Sequence, residues 1–179
     1  MKEQLVTPLY NVTIHDFYAV KDGLIESQLY QVLSKMPKGG LHHLHTTAAP
    51  HVDVFLELTY EPMTYYNERE GLFKVFQEIK DKEDGFMTCQ EMRSFYENPK
   101  EYDEILKSQI LLTHEESAGL ESHDIWAYFQ HKFSRIGGLA KYKPYFARLL
   151  RANIDACIAQ NIFIVELRHT SGCLQDEQK

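Results

Sequence analysis

The C-terminal third of the chain constrains the fold most, because a long helix there leads directly into an apolar strand. Apolar residues recur at three- and four-residue steps between positions 142 and 160, which predicts an amphipathic helix. Asn161 is suited to end that helix. Residues 162–168 (IFIVELR) form a nearly continuous apolar, β-branched run, typical of strands buried on both faces of a parallel sheet. This unit predicts an α/β fold.

A second strand is predicted near residues 41–46, after a helix that Pro and Gly terminate. Apolar residues at helical spacing predict one amphipathic helix over residues 14–35. The segment 36–40 (MPKGG) forbids its continuation. Residues 1–36 are therefore predicted to form an N-terminal helical extension.

The middle of the chain is predicted to be helix-rich, with one β-hairpin. Aromatic and β-branched residues at 63–66 and 72–76 flank a turn that contains Asn67 and Gly71. Short helices are predicted near 52–58, 89–96 and 101–112. A further helix starts at Ser122 and is predicted to end at Gly137 and Gly138.

His43 and His45 are candidate metal ligands. They lie two residues apart on the predicted strand, so their side chains share one face, whereas His42 faces the other way. Two neutral imidazoles suit a divalent cation such as Zn²⁺. A catalytic zinc also needs a third protein ligand and an open position for water, so the pair is only part of a site. An isolated His-x-His pair is also common on ordinary protein surfaces.

Composition excludes several classes of protein. The formal net charge is −7, and no basic stripe offsets it, which argues against nucleic-acid binding. No apolar run approaches the roughly 20 residues of a membrane span, and residues 1–10 lack the apolar core of a signal peptide. The three cysteines, Cys89, Cys157 and Cys173, form no CxxC motif, so a disulfide scaffold is not predicted.

Other metal patterns in the chain are incomplete. His114 and Glu116 form an H-x-E, but no P-C-x-x-C follows, as the zinc-dependent cytidine deaminases would require. No second His stands four residues after His114, as it would in a zincin. Both residues are therefore predicted to lie in a solvated loop.

The motifs together resemble a known family. The segment 36–45 (MPKGGLHHLH) resembles the MPKG-x-L-x-H-x-H signature of the adenosine deaminase-related growth factor branch of the adenosine deaminases. Residues 133–139 (FSRIGGL) resemble its F-x-x-I-x-G-L segment, and residues 164–168 (IVELR) resemble its second barrel strand. The resemblance covers most of the chain.

The resemblance implies the first part of a (β/α)8 barrel metallohydrolase, with an N-terminal helical extension and an inserted β-hairpin. A complete barrel takes about 250 residues. Residues 37–179 are therefore expected to hold strands near 41–46 and 162–168 and to be truncated before the later strands. The remaining zinc ligands and the acid–base groups of the family lie on those later strands, so no catalytic residue is predicted in this chain.

The resemblance also implies a zinc cofactor and a purine nucleoside partner, adenosine. His43 and His45 would be the first two zinc ligands. The substrate-binding residues that it implies are Glu166, Thr46, Phe133, Ile136 and Leu139. Members of the family usually carry an Asp just after the His pair, where Thr46 and Thr47 stand here. Two alternatives stay open, an ion pair between Glu166 and Arg168 and simple core packing of the three apolar residues.

The expected reaction converts adenosine and water to inosine and ammonia, and zinc activates the water for attack at C6 of the purine. The chain is expected to be inactive alone, as an N-terminal fragment. One alternative is a shortened, non-catalytic product that acts in binding or association. Another is a barrel amidohydrolase with a different substrate. A homodimer contact and the compartment stay open, since relatives are often extracellular and no signal peptide is visible here.

Overall fold

The computed structural model describes residues 17–78, 83–170 and 174–176. Cys173 and the beginning of the predicted first helix lie outside these ranges. The chain divides into two compact units. The first contains the described residues up to 41 together with 156–165, and the second contains 42–155 together with the described residues from 166 onward.

Helices and short strands alternate along the chain, as a mixed α/β protein requires. The helices are α1 (Phe17–Ile25), α2 (Gln28–Lys35), α3 (Val52–Leu58), α4 (Cys89–Arg93), α5 (Pro99–Ile110), α6 (His114–Ser117), α7 (Ser122–Lys141) and α8 (Lys143–Ala159). The strands are β1 (Gly39–His45), β2 (Thr64–Asn67), β3 (Leu72–Val75), β4 (Met87–Thr88) and β5 (Ile162–Arg168). None of the helices in the described ranges combines the length and apolar character that a membrane-spanning segment requires.

The N-terminal region contains two helices, so the prediction of one helix up to residue 35 was wrong. Ser27 separates α1 from α2 and caps α2. Its hydroxyl donates to the Leu24 carbonyl at 2.7 Å and accepts from the Tyr30 N–H at 3.1 Å. Serine competes for backbone hydrogen bonds in this way, which favours a helix start over a helix interior.

Asn161 ends α8 as the sequence predicted. Its φ of 57° lies in the left-handed region, which Asn tolerates better than most residues. The Lys38 N–H donates to the Asn161 carbonyl at 2.9 Å, and the Lys38 ammonium donates to the Gln160 carbonyl at 2.8 Å. These bonds fix the chain where β1 and β5 begin.

Strands β1 and β5 form a two-stranded sheet. They are parallel, since the backbone bonds that flank them run from Lys38 to Asn161 and from Thr46 to Arg168. The expected burial of β5 on both faces was wrong, because Phe163 is 73% exposed and Ile164 is 61% exposed. Within the described residues β5 pairs with β1 alone, so the apolar faces of the sheet stay open.

The predicted hairpin is confirmed and belongs to a three-stranded antiparallel sheet of order β3-β2-β4. Thr64 pairs with Val75, and Tyr66 pairs with Phe73, whose ring lies 4.5 Å from the tyrosine ring between centroids. The sequence did not indicate β4, since a two-residue strand carries no periodic pattern.

Helix α7 packs on β3 and continues through both glycines, so the prediction that it ends there was wrong. A Cβ on Gly138 would lie 1.9 Å from the Phe73 carbonyl oxygen. Glycine is therefore required by the close approach of helix and strand. The helix tolerates it because an interior glycine costs only about 1 kcal/mol relative to alanine.

The core of the second unit lies between α3, α5, α7, α8 and this sheet. Its most buried apolar side chains are Leu58, Phe73, Leu106, Leu139 and Leu149. These side chains come from residues at helical and strand spacing, as the patterning of the sequence predicts.

A buried polar network ties α3, α4 and α5 together. The Arg93 guanidinium donates to Asp103 Oδ1 at 2.8 Å, to the Thr59 carbonyl at 2.9 Å and to Thr59 Oγ1 at 2.6 Å. The Tyr60 hydroxyl donates to Asp103 Oδ2 at 2.5 Å, and the guanidinium carbon lies 3.7 Å from the centre of that tyrosine ring. The carboxylate and the guanidinium are therefore both satisfied in the interior.

Candidate metal and ligand site

The two histidines of β1 converge as the strand pattern predicts. The Nε2 atoms of His43 and His45 lie 3.1 Å apart, and their ring centres are separated by 4.9 Å. Both side chains are exposed to solvent. The backbone of β1 thus holds two imidazoles with their outer nitrogens facing one point.

This geometry fits part of a zinc site. Two nitrogens that each bond one tetrahedral Zn²⁺ at 2.0–2.1 Å are separated by about 3.3 Å, close to the spacing of the His pair. Nitrogen ligands of this type suit zinc. Within the described ranges, no group of three or more His, Cys, Asp or Glu side chains is placed to hold a metal ion. The candidate ligands that the described residues bring together are therefore His43 and His45.

Arg168, at the end of β5, determines the proton arrangement of the His pair. Its Nε–H donates to His43 Nδ1 at 3.4 Å, and its terminal nitrogen donates to the His42 carbonyl at 3.4 Å. Since Nδ1 accepts, a neutral His43 carries its proton on Nε2 and can donate it to His45. Metal binding through Nε2 requires the other tautomer of His43, which gives up the bond from Arg168.

Glu166 pairs with Arg168, the alternative that the sequence left open. The Glu166 Oε1 atom lies 2.7 Å from a terminal nitrogen of Arg168, and both side chains are roughly half-exposed. The carboxylate offsets part of the arginine's positive charge. Exposed pairs of this kind contribute at most about 1 kcal/mol to stability.

Thr46 connects the ends of the two strands. Its side chain is buried, and its hydroxyl donates to the Arg168 carbonyl at 3.2 Å. The same oxygen lies 3.3 Å from His169 Nδ1. A hydroxyl has one proton, so the Nδ1–H of His169 is the donor in the second bond. The Asn153 side chain donates to the Thr46 carbonyl at 2.9 Å, which anchors the strand end to α8.

A cavity of about 240 Å³ opens beside the His pair. Its apolar wall consists of Phe133, Ile136, Ala140 and Leu174. Its polar lining consists of His45, Thr46, Thr47, Lys141, Arg168, His169 and Thr170. His45 therefore belongs to the His pair and also lines this cavity.

The structure brings some of the predicted substrate residues together and separates others. Thr46, Phe133 and Ile136 line the cavity. Leu139 is fully buried in the hydrophobic core, and Glu166 lies outside the lining. Leu139 is absent from the lining because it lies on the side of α7 that faces the core. Residues 133 and 136–137 lie on the side of α7 that borders the cavity.

His169 and Lys141 are among the lining residues that sequence reasoning missed. His169 packs its ring on Phe146 with 4.7 Å between ring centres. Lys141 ends α7 at the mouth of the cavity. His169 directly follows the IVELR segment, so its position after a strand was a signal that could have been used. No sequence signal indicated Lys141, because it becomes a lining residue only through the extension of α7 past Gly138.

The rejected H-x-E motif is structural. The Thr113 N–H donates to the Glu116 carboxylate at 2.9 Å, and the Glu116 N–H donates to Thr113 Oγ1 at 3.1 Å, which is a capping box at the start of α6. The expected loop is thus one helical turn. Burial alone would raise the pKa of Glu116, but the Thr113 N–H and the ammonium of Lys132, 3.0 Å away, lower that pKa overall.

No family model matches the chain. The chain is 27% identical to the adenosine deaminase of Lutzomyia longipalpis, over 98% of this chain and 36% of the relative. It is 25% identical to the adenosine deaminase 2 of Homo sapiens, over 94% of this chain and 34% of the relative. It is 26% identical to the adenosine deaminase 2 of Sus scrofa, over 94% of this chain and 35% of the relative. The chain thus spans about a third of the length of these curated relatives. The matches support a family-level relationship of this chain to the adenosine deaminases.

Proposed function

We propose that this chain contributes two zinc ligands and part of the nucleoside pocket of an adenosine deaminase, which converts adenosine and water to inosine and ammonia. In this proposal the chain belongs to the growth factor-related branch of the adenosine deaminases. β1 and β5 are the first two strands of a (β/α)8 barrel, preceded by the helical extension of residues 1–36. Residues 37–179 are the first part of the barrel domain.

The observation that carries the proposal is the 3.1 Å separation of the Nε2 atoms of His43 and His45, beside a cavity that shares His45. A zinc ion held there would polarise the attacked centre and lower the pKa of a bound water. The matches to proteins named adenosine deaminase over most of the chain support the same assignment.

The residues of this chain have distinct roles in the proposal. His43 and His45 hold the metal, and metal binding at His43 Nε2 requires release of the bond that Arg168 donates to Nδ1. Thr46 positions the strand ends by bonding Arg168 and His169. Phe133 and Ile136 form the apolar wall against which a purine packs.

The described residues supply two of the three or more ligands that a catalytic zinc requires. In this proposal the other ligands and the acid–base groups come from outside the described residues. We therefore expect the 179-residue chain to bind zinc weakly and to convert little or no adenosine.

Titration of the metal-free chain with Zn²⁺, followed by calorimetry, tests the metal assignment. We expect His43→Ala and His45→Ala each to weaken binding at least about tenfold, since one imidazole alone is a poor site. His42→Ala is the matched control on the same strand and should leave the affinity unchanged. Equal zinc affinity in all three variants would contradict the assignment.

An absorbance assay for conversion of adenosine to inosine tests where the catalytic groups lie. We expect no zinc-dependent turnover above background by the 179-residue chain. Robust turnover that a chelator abolishes and His43→Ala removes would support the metal ligands but overturn the location of the acid–base groups.

A further inference from the structure

The hydroxyl of Thr46 is already engaged inside the protein. Thr46 is 3% exposed, its O–H donates to the Arg168 carbonyl, and its oxygen accepts from His169 Nδ1. A nucleoside in the cavity carries sugar hydroxyls, which need hydrogen-bond partners once they leave water. Another group of the lining therefore has to meet the sugar.

The bond to Thr46 determines what the second ring nitrogen of His169 can do. A neutral imidazole carries one proton, so a ring that donates through Nδ1 presents Nε2 as an acceptor. Within the described part of the chain, no group forms a hydrogen bond with this Nε2 atom. His169 is exposed and lines the cavity, so the acceptor is accessible to a ligand.

Two contacts hold the His169 ring in this orientation. Its centre lies 4.7 Å from that of the buried Phe146 ring, and its Nδ1 lies 3.3 Å from the Thr46 hydroxyl. Thr46 is fixed in turn by the buried Asn153, whose amide donates to the Thr46 carbonyl at 2.9 Å. An acceptor that is oriented before a ligand arrives loses little freedom on binding.

The other charged or imidazole nitrogens of the lining are donors or are already engaged. Arg168 donates to His43 and pairs with Glu166. The Lys141 ammonium can only donate, and His45 turns its Nε2 toward His43. Among the described lining nitrogens, His169 Nε2 is thus the one placed to accept a hydrogen bond from a ligand.

The donors of adenosine are its 6-amino group and its sugar hydroxyls. In the proposed function the amino group belongs at the His pair, because it is exchanged for water there. The sugar hydroxyls are the donors that remain for His169.

We propose that His169 is a specificity-determining residue, which favours a nucleoside over its free base by accepting a hydrogen bond from a sugar hydroxyl at Nε2. Phe133 and Ile136 are left to pack against the purine. The proposal rests on the function proposed above and deepens it, because it names the group that recognises the sugar.

Nitrogen NMR of the metal-free 179-residue chain tests the acceptor directly. The Nε2 resonance of His169 should be of the unprotonated type. Adenosine should move it toward the protonated range, because the sugar hydroxyl donates to it, whereas adenine should not. A protonated Nε2 in the free chain would overturn the proposal.

Titrations with adenosine and its 2′-, 3′- and 5′-deoxy forms identify the hydroxyl that donates. We expect one deoxy form to bind about three- to tenfold more weakly than adenosine, the effect of one hydrogen bond between neutral groups. His169→Asn keeps an amide N–H near the place of Nδ1 but has no counterpart of Nε2, so it should bind adenosine and that deoxy form equally. His169→Gln places an amide oxygen near the position of Nε2 and should keep part of the preference.

His123→Asn is the matched control, because His123 is exposed at the start of α7 and does not line the cavity. It should keep the preference, and circular dichroism should show that every variant is folded. Equal affinity of the unchanged chain for all four ligands, or a preference that survives in His169→Asn, would overturn this proposal and leave the proposed function standing. Failure of both adenosine and adenine to bind would overturn the pocket assignment of the proposed function and this proposal with it.

Discussion

Gly138 of α7 lies against the backbone carbonyl of Phe73 in β3, so closely that a Cβ would be 1.9 Å from the oxygen. The contact joins the longest described helix to the central hairpin. A side chain of any size would force the helix away from the strand, because the obstacle is backbone that cannot rotate aside.

Gly138→Ala should therefore destabilise the chain by about 1–3 kcal/mol or more, the cost of overpacked sites. Gly137 is the matched control, because a Cβ there meets nothing within 4 Å. Gly137→Ala should raise stability by about 0.5–1 kcal/mol, as alanine is the better helix former. Urea unfolding of both variants measures the difference, and a similar midpoint for the two would show that α7 is not held at this distance.

The buried pair of Arg93 and Asp103 should be sensitive to removal of one partner. Arg93→Met leaves a carboxylate that accepts from Tyr60 but has lost its guanidinium, and we expect a loss of about 3–5 kcal/mol. The double variant Arg93→Met with Asp103→Leu should lose less than the sum of the two single changes. Arg151→Met is the control, since that exposed pair with Asp155 should contribute under about 1 kcal/mol. Additive losses in the urea unfolding free energies would contradict the coupling.

Arg168 should weaken metal binding by the His pair. Its cationic group lies beside His43, and its bond to Nδ1 favours the tautomer whose Nε2 carries a proton. Arg168→Gln should therefore increase the affinity for Zn²⁺ several-fold, as measured by calorimetry. Arg151→Gln removes the same charge from α8 and should have no effect. A weaker affinity after Arg168→Gln would show that the arginine instead orients His43 for the metal.

Stability should fall at alkaline pH through groups that are buried in their neutral forms. Burial raises the pKa of Cys89 to about 12 and that of Tyr145 to about 12. The unfolded chain ionises these groups near 8.5 and 10. Their contribution to the free energy of unfolding is therefore fully present below the pKa values of the unfolded chain. It is lost as the pH rises toward 12.

Between pH 8.5 and 10 the loss should come mainly from Cys89. Urea unfolding at a series of pH values should show a decline that Cys89→Ala flattens, whatever that variant's stability at pH 7. Cys157→Ala is the control and should keep the decline. An unchanged slope in Cys89→Ala would show that Cys89 ionises equally in the folded and unfolded chains.

Local pattern was enough to predict most elements of this fold. The helices near 52–58, 101–112 and 142–160, the hairpin, and both strands of the parallel pair follow from apolar spacing and turn residues. The failures occurred where contacts distant in sequence decide the outcome. Gly138 looks like a helix end until Phe73 lies beside it, and β4 exists only because β2 offers a free edge.

The sequence by itself determined the candidate metal ligands, because a two-residue spacing on a strand places His43 and His45 on one face whatever the rest of the chain does. Only the tertiary structure decided their surroundings. Strand pairing brings Arg168 to His43, and the extension of α7 brings Lys141 to the same cavity. The physical reason is the sequence separation of the residues in contact. Residues two apart on a strand share a face by local geometry alone, whereas residues about a hundred apart meet only if the elements that carry them pack together.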